Sequence, residues 1–178
     1  QPTTAGQLID LGGADAIGTL GLDDTELNNI YATTLRIGSG TAGAITVSAD
    51  VTPANITNLH LINDADVTAT AGGVIVPNLA ITSSGTVTFT DINTNVGTLA
   101  ANLTSAGKSI TFKNEADGFT VGKVDGVTGV QTANVDNTTK SLNAYSGDIT
   151  LWATTGGIIV DENITTGNAK TDGGFTAD

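Results

Sequence analysis

Two interleaved series of apolar pairs repeat along the chain at intervals of about 20 residues, and this period constrains the fold more than any other feature. Each pair has apolar residues at positions i and i+2, the alternation of a strand with one buried face. Pairs of the first series begin at positions 35, 59, 79, 99 and 119, and those of the second at 45, 67, 87 and 110. The first series is Leu35/Ile37, Leu59/Leu61, Leu79/Ile81, Leu99/Ala101 and Phe119/Val121; the second is Ile45/Val47, Val67/Ala69, Val87/Phe89 and Ile110/Phe112.

A period of this length is the sequence mark of a solenoid, in which one coil cannot bury its apolar side until others stack on it. The pairs therefore predict an all-β fold, a parallel β-helix of about 20-residue coils, with further strands at Ile149/Leu151 and Ile158/Val160. Some eight coils at about 4.8 Å each would give a rod roughly 40 Å long. A two-sheet sandwich would also alternate. It would not keep two series in step, so the β-helix is the favoured interpretation.

Composition supports a β protein and excludes some partners. The 178 residues include 32 Thr and 23 Gly, which suit pleated strands and turns. The net charge of −12 argues against nucleic acid and against anionic membrane surfaces. The chain has no Cys for disulfides or thiol chemistry, and no apolar run approaches the ~18 residues of a membrane span.

The stretch "GLDDTELNNIYATTLRIGSG" (21–40) is the one helix-like interruption. Asp23 with Glu26 forms a capping-box pattern, and Leu22, Leu27 and Ile30 suit one apolar side, so a short helix is predicted near residues 23–30. Clustered carboxylates in "DDTE" also suit Ca²⁺, but the spacing is not that of an EF-hand. We interpret the segment as a capped helix at a coil corner, with weak structural Ca²⁺ binding as the most that is expected and no other cofactor.

Histidine and arginine each occur once, which limits the catalytic schemes available. A Ser–His–Asp triad would have to use His60. Because His60 lies between two inward-facing leucines, it is predicted to point outward and to be exposed. A polysaccharide lyase would need a basic residue beside acidic Ca²⁺ ligands, and Arg36 has no acidic cluster near it in the sequence.

Three pairs of carboxylates were considered for sugar hydrolysis, which needs two such groups about 5–10 Å apart. Asp64/Asp66 and Glu115/Asp117 have the i, i+2 spacing that places side chains on one face, whereas the adjacent Asp161 and Glu162 would face opposite ways. All three lie in turn-rich stretches, where Asp is expected in any case. The sequence therefore predicts a protein that is not an enzyme, with no catalytic, cofactor-binding or metal-binding residue.

Surface recognition is the remaining possibility. Four N-x-T sequons occur, and the sequence leaves their glycosylation open; they are at Asn55, Asn102, Asn137 and Asn163. A binding module would need exposed aromatic side chains, and Tyr31, Tyr145 and Trp152 are the large stacking residues besides Phe.

Three segments in order, "GTLGLDDTELNNIYATTLRIGSGTAGAITV", "FTVGKVDGVTGVQT" (119–132) and "GDITLWATTGGIIV" (147–160), resemble a unit of large filamentous-haemagglutinin-like bacterial exoproteins. The resemblance implies a right-handed β-helix, two-partner secretion to the cell surface, and work as an adhesin, fibre or matrix component. The secretion head of that family carries N-P-N-G and N-P-N-L motifs. Here "VPNL" (76–79) matches the second motif only in part, and Pro77 is interpreted as a corner residue before the strand at Leu79. The resemblance therefore implies that the segment belongs to the shaft and not to the secretion head.

The sequence is therefore expected to form one β-helix segment over residues 1–178: entry strands at 1–20, a helical junction at 21–34 and stacked coils at 35–178. Because it begins at Gln1 without Met, we expect a repeat or fragment of a longer chain, or else a subunit that polymerises. The expected function is structural, in an extracellular bacterial surface fibre or adhesin shaft. Expected partners are further copies or adjacent repeats end to end, and cell-surface or matrix glycans, with no nucleic acid and no membrane insertion. The alternative is a carbohydrate-binding or polysaccharide-cleaving β-helix module.

Overall fold

The computed structural model describes residues 4–115, 117–133 and 147–166 as an all-β chain with one short helix, which confirms the predicted class. The elements in chain order are β1 (Leu8–Leu11), β2 (Thr19–Leu22), α1 (Asp24–Asn28), β3 (Ala32–Gly38), β4 (Ile45–Val47), β5 (Ile56–Asn63), β6 (Val67–Ala69), β7 (Ile75–Ser83), β8 (Val87–Phe89), β9 (Asn95–Leu103), β10 (Ile110–Asn114), β11 (Phe119–Val121), β12 (Lys123–Val124), β13 (Val127–Thr128), β14 (Val130–Thr132), β15 (Ile149–Ala153), β16 (Ile158–Val160) and β17 (Ile164–Thr166).

Most of these strands belong to two parallel sheets. The seven-stranded sheet has the order β15-β10-β8-β6-β4-β1-β2. The eight-stranded sheet has the order β16-β11-β9-β7-β5-β3, with β14 pairing β9 and β17 pairing β14. From β3 to β11 the chain alternates strictly between the two sheets. Parallel neighbours need a crossover connection, and between β3 and β11 each crossover carries a strand of the opposite sheet.

The seven-stranded sheet has the register that the second apolar series predicts. Two inward ranks cross strands β4, β6, β8, β10 and β15, and their members are Ile45, Val67, Val87, Ile110 and Ile149 in one rank and Val47, Ala69, Phe89, Phe112 and Leu151 in the other. The Phe89 and Phe112 rings lie 5.5 Å apart, and Phe112 also meets Phe119 of the eight-stranded sheet at 5.4 Å. The core therefore lies between the sheets, where each fully buried aliphatic or aromatic side chain contributes about 1.5–3 kcal/mol.

The eight-stranded sheet follows the first series for four strands and then departs from it. Its two ranks are Leu35, Leu59, Leu79 and Leu99, and Ile37, Leu61, Ile81 and Ala101. The fifth predicted pair, Phe119/Val121, is wrong in register. Val121 lies opposite Leu99, but Val130 lies opposite Ala101. The chain leaves the sheet after Val121 and returns at Val130.

Pro77 lies inside β7 and not before it, which corrects the sequence-based placement. Val76 and Leu79 are both buried, so the inward alternation of the strand shifts by one residue between them. Proline has no N–H to give to a neighbouring strand, and the paired register passes from Val76–Val96 to Asn78–Thr98. Opposite Pro77 stands Gly97, where an added Cβ would lie 2.9 Å from the proline carbonyl oxygen.

The helix α1 forms where the capping box predicts it. The Glu26 N–H donates to Asp23 Oδ1 at 2.8 Å, and the Asp23 N–H donates to Glu26 Oε2 at 3.0 Å. Leu27 is buried in the core, with Leu22 and Ile30 packed against it. Five residues are too few for a helix to be stable alone, so the cap and this apolar contact hold it in place.

Candidate functional site

A β-hairpin interrupts the eight-stranded sheet between β11 and β14. Strands β12 and β13 pair antiparallel, and Asp125 and Gly126 form the turn with φ of 47° and 84°. Asp-Gly is a favoured sequence for such turns because both central residues need positive φ. The Gly129 N–H donates to the Gly122 carbonyl at 2.8 Å. The hairpin therefore leaves and re-enters the sheet at one point.

The hairpin packs on the outer face of the eight-stranded sheet. Val124 and Val127 form a small apolar cluster with Ala80 and Ala100, separate from the core between the sheets. Ala80 lies opposite Ala100 on neighbouring strands, and both are fully buried. Their small side chains let the hairpin approach closely, so an outer sheet face is covered where the sequence predicts solvent.

A carboxylate at the hairpin tip joins the only arginine and the only histidine of the chain. Arg36 Nε and Nη2 donate to the two oxygens of Asp125 at 2.6 and 2.5 Å, and His60 Nδ1 lies 2.7 Å from Asp125 Oδ2. The Asp125 side chain is 9% exposed, whereas that of Arg36 is 62% exposed. The hydrogen bond from Arg36 is the main reason why the pKa of Asp125 lies below its ordinary value; burial opposes it and the bond to His60 adds to it.

The predicted exposure of His60 is wrong, since the residue is only 6% exposed. Strand alternation does place the ring on the outer face, opposite Arg36 and Ala80 of the neighbouring strands. It is buried because the hairpin covers that face. Arg36 likewise has its acidic partner far away in the sequence, at Asp125, a separation that local patterns do not reveal.

His60 also contacts a hydroxyl, which gives the connectivity of an acid–histidine–hydroxyl triad. An ionised carboxylate only accepts, so His60 Nδ1–H donates to Asp125, and Nε2 lies 2.9 Å from Thr82 Oγ1. Acyl transfer further needs N–H donors aimed at an oxyanion. Thr82 lies within β7, between paired residues Ile62 and Asn102. The backbone around Thr82 is part of the sheet pairing. We therefore interpret the contacts among Asp125, His60 and Thr82 as holding the hairpin in position on the sheet.

The three carboxylate pairs are used locally. Asp66 accepts the Thr86 N–H at 2.8 Å. The N–H groups of Asp161 and Glu162 both donate to the Val121 carbonyl, at 3.0 and 3.1 Å, which fixes the turn after β16. Asp64 is an exposed turn residue whose N–H donates to the Ala42 carbonyl at 2.9 Å.

Glu115 and Asp117 have different environments, although the sequence places them two residues apart. Asp117 is exposed in a left-handed turn with φ 54°. Glu115 pairs with Lys113 and accepts a hydrogen bond from Thr154, and these bonds, Lys113 first, lower the pKa of Glu115. Glu115 therefore takes part in an ion pair, and Asp117 forms a turn.

The acidic "DDTE" stretch serves the helix and its neighbouring loop. Asp23 and Glu26 form the cap, and Asp24 Oδ1 accepts the Thr52 N–H at 2.5 Å. Within the described ranges, no three His, Asp or Glu side chains lie close enough together to hold a metal ion. The observed function of these carboxylates is to accept backbone N–H groups.

The sequons differ in environment. Asn163 is exposed after β16. Asn55 is half-buried and donates through Nδ2 to the Asn28 carbonyl at 2.8 Å, and Asn102 is half-buried within β9. Asn137 lies outside the described residues.

Two of the three candidate stacking residues can be placed, and both are exposed. Tyr31 is 81% exposed before β3, and Trp152 is 60% exposed on β15. Lys113 lies opposite Trp152 on β10, with Nζ 6.0 Å from the ring centroid. Tyr145 lies outside the described residues. Trp152 therefore has the exposed aromatic ring that a binding module would need.

Comparison with known proteins gives no match. No family model, curated protein or solved structure is significantly similar to the chain. No helix among the described residues is long and apolar enough to cross a membrane.

Among the residues that the structure describes, both sheets have open edges at both ends. The outer edges of β2 and β3 at one end, and of β15, β16 and β17 at the other, pair with no strand of the described ranges. Near β15–β17, Ile159, Val160 and Ile164 are exposed. At the opposite end a groove of about 180 Å³ has apolar walls, formed by Leu20, Leu22, Leu27, Ile30, Leu35 and Ile37 together with Arg36 and Gly38. Unpaired parallel edges beside apolar surface are suited to receiving further strands.

Proposed function

We propose that the chain is a segment of a right-handed parallel β-helix and that its function is structural, in the shaft of an extracellular bacterial surface fibre or adhesin. The β-helix proposal rests on the strict alternation of strands between two parallel sheets and on ranks that keep their register across five strands. Each pair of consecutive strands is then one coil. The hand of the helix and the export by two-partner secretion rest on the resemblance alone.

The observation that carries the structural function is that, within the described part of the chain, each sheet has an open edge at each end. In a β-helix the coils stack in one direction. The unpaired N–H and C=O groups at one end of a chain can therefore pair with the strand edges at the opposite end of a neighbouring chain. The partners are further copies of the chain or adjacent repeats of a longer one. Head-to-tail contacts that do not close into a ring give filaments.

The physical basis of the shaft is a continuous backbone ladder around an apolar core. Six strand intervals separate β2 from β15 in the seven-stranded sheet, which at about 4.8 Å each corresponds to roughly 30 Å of rod per chain. The acidic, threonine-rich exterior keeps the rod soluble, because like charges oppose side-by-side association.

Electron microscopy of the purified chain over a range of concentrations tests self-assembly. Filaments of rod width that lengthen with concentration are expected if the chain is a polymerising subunit. Ile164→Lys places a charge in edge strand β17 and should stop growth, because an inward or edge lysine blocks further pairing. Thr46→Lys, in the middle of the seven-stranded sheet, is the matched control. Only short isolated particles at every concentration would eliminate the subunit version and leave a repeat of a longer chain.

A rod of either kind must show β-helix dimensions. Small-angle scattering from the monomer, or from filaments, should give the constant cross-section of a rod. A scattering profile of two independently moving sheets would refute the β-helix itself.

Carbohydrate binding is a second candidate function, and the exposure of Trp152 favours it. Polysaccharide cleavage has no comparable support: the Asp66 carboxylate accepts a backbone N–H and Glu115 is paired with Lys113. A glycan-binding shaft is compatible with a structural function, because a fibre that adheres to a surface needs both.

A further inference from the structure

We infer that Lys113, Glu115, Trp152 and Thr154 form a saccharide-binding platform on the outer face of the seven-stranded sheet. These four side chains are called the outer square below. The inference deepens the second candidate function, and it does not depend on the β-helix proposal or on end-to-end assembly.

The outer square follows from strand geometry. Lys113 and Glu115 are two residues apart, as are Trp152 and Thr154, so each pair points to the same side of its strand. Lys113 lies opposite Trp152 in the parallel register of β10 and β15. The register continues past the strand ends, because the Thr154 N–H donates to the Asn114 carbonyl at 2.9 Å. Side chains on the inward side of the same strands, Phe112 and Leu151, anchor the platform in the core.

The polar members of the square are already organised around each other. Lys113 forms an ion pair with Glu115, and both side chains are largely shielded from solvent. Thr154 donates its hydroxyl to Glu115. These contacts fix an ammonium donor, a carboxylate acceptor and a hydroxyl within one small area, so little side-chain entropy remains to be lost on binding.

The chemistry of the square matches a pyranose ring. The axial C–H face of a sugar is apolar and stacks on an aromatic ring, while its equatorial hydroxyls need donors and acceptors at the rim. Trp152 supplies a large exposed ring with little conformational freedom. Lys113 and Glu115 supply the donor and the acceptor.

Charge restricts the class of saccharide further. The net charge of −12 opposes a polyanion at every approach, and Lys113, the one cation in the square, is neutralised by Glu115. The ligand class is therefore an uncharged glycan, and the charge disfavours sulfated or uronate polymers.

A second copy of the chain is the competing occupant. Trp152 belongs to the edge strand β15, but its side chain stands on the outer face of the sheet and not along the unpaired edge. A copy that continued the sheet would pair with the β15 backbone and leave the outer ring face accessible. For this reason the structure favours a saccharide.

Titration of the full chain with cellohexaose and chitohexaose tests the inference, with heparin as the polyanion. Trp152 is the only tryptophan, so its emission reports occupancy directly. We expect a saturable change with at least one neutral oligosaccharide and none with heparin. By calorimetry, Trp152→Ala should weaken binding roughly tenfold or more, because a stacking aromatic dominates a small site. Glu115→Gln should weaken it less.

Tyr31→Ala is the matched control, because Tyr31 is an exposed aromatic that does not belong to the outer square, and it should leave the affinity unchanged. The absence of saturable binding by either neutral oligosaccharide would overturn the inference, as would equal loss in Tyr31→Ala. Tighter binding of heparin would overturn the proposed class. If Trp152→Ala instead abolished filaments while wild type bound no sugar, the outer square would be an interface between copies. Filament growth is measured separately, so its failure leaves the sugar result intact.

Discussion

Removing the carboxylate of Asp125 should release the hairpin from the sheet while the sheet stays folded. Asp125→Gly is the suitable change because Asp125 has φ 47°, a left-handed conformation that glycine adopts freely and alanine does not. The variant therefore removes the carboxylate without straining the turn. Asp125→Asn keeps both the turn preference and a side-chain oxygen, and it serves as the matched variant.

The size of the effect follows from burial. The Nδ1–H of His60, which is 6% exposed, loses its acceptor, and leaving a buried donor unsatisfied costs about 1–3 kcal/mol. Arg36 adds little, because its largely exposed guanidinium returns to water. Asparagine can still accept from His60 Nδ1–H, so its cost should lie near or below the lower end of that range.

Native-state hydrogen exchange is the appropriate measurement because the opening is local. A loss of about 1–3 kcal/mol accelerates exchange of the amides in 123–128 by roughly 5- to 150-fold in Asp125→Gly. Amides of β7 and β9, which lie inside the eight-stranded sheet, should exchange as in wild type. Unchanged hairpin exchange would show that Val124 and Val127 alone hold it. Equal acceleration in β7 would show that the network stabilises the whole fold, and either result refutes the reasoning.

Three further predictions concern the core, the helix cap and pH. Val87→Pro removes the N–H that donates to the Ser109 carbonyl from a fully buried position, and it should lower the free energy of unfolding in urea by at least about 2 kcal/mol. Asp23→Ala breaks the capping box and should cost about 0.5–2 kcal/mol in the same assay, with Thr25→Ala as the control on the helix surface. The pKa of Asp125 is lower in the folded than in the unfolded chain, so its contribution is present above the ordinary pKa of 3.8 and is lost as the pH falls through the folded-state pKa. Protection of the hairpin amides should therefore fall as the pH drops below about 4.

Local patterns predicted the elements whose cause is local. The alternation around Val67 and Val87 fixes which side chains face inward, and equal spacing places them in one rank. The pattern Asp23-x-x-Glu26 predicted the helix because the cap forms within four residues. In both cases the physical determinant lies inside a window that the sequence displays directly.

The environment of His60 could not be predicted in that way. Alternation gave the correct side of the strand, but burial depends on a hairpin that comes much later in the chain, at Asp125. The sequence does contain one signal, the Asp-Gly pair at residues 125 and 126, which is typical of a tight hairpin. Nothing local shows where that hairpin packs, since Ala80 and Ala100 look the same in a sequence whether they are covered or exposed.

The register shows how the hairpin entered the sheet. Leu99 lies opposite Val121 and Ala101 lies opposite Val130, so an advance of two positions along β9 matches an advance of nine along the partner chain. The seven additional residues correspond in number to 123–129. Without them, Gly122 would stand opposite Ala100, and β11 would continue into β14 as one strand. The hairpin is therefore an insertion at a single position of an otherwise continuous strand.

Deletion of residues 123–129 should consequently preserve the sheet and expose the histidine beneath the hairpin. The chain contains one histidine, so the ultraviolet absorbance of carbethoxyhistidine formed by diethyl pyrocarbonate reports His60 alone. Modification should be slow in wild type, faster in Asp125→Gly and fastest in the deletion variant, while circular dichroism keeps its β signal. If the deletion variant unfolded, the hairpin would be a required part of the sheet. If His60 stayed protected in a folded deletion variant, its burial would have to come from the sheet itself, because Thr82 would be the one remaining side chain among its hydrogen-bond partners.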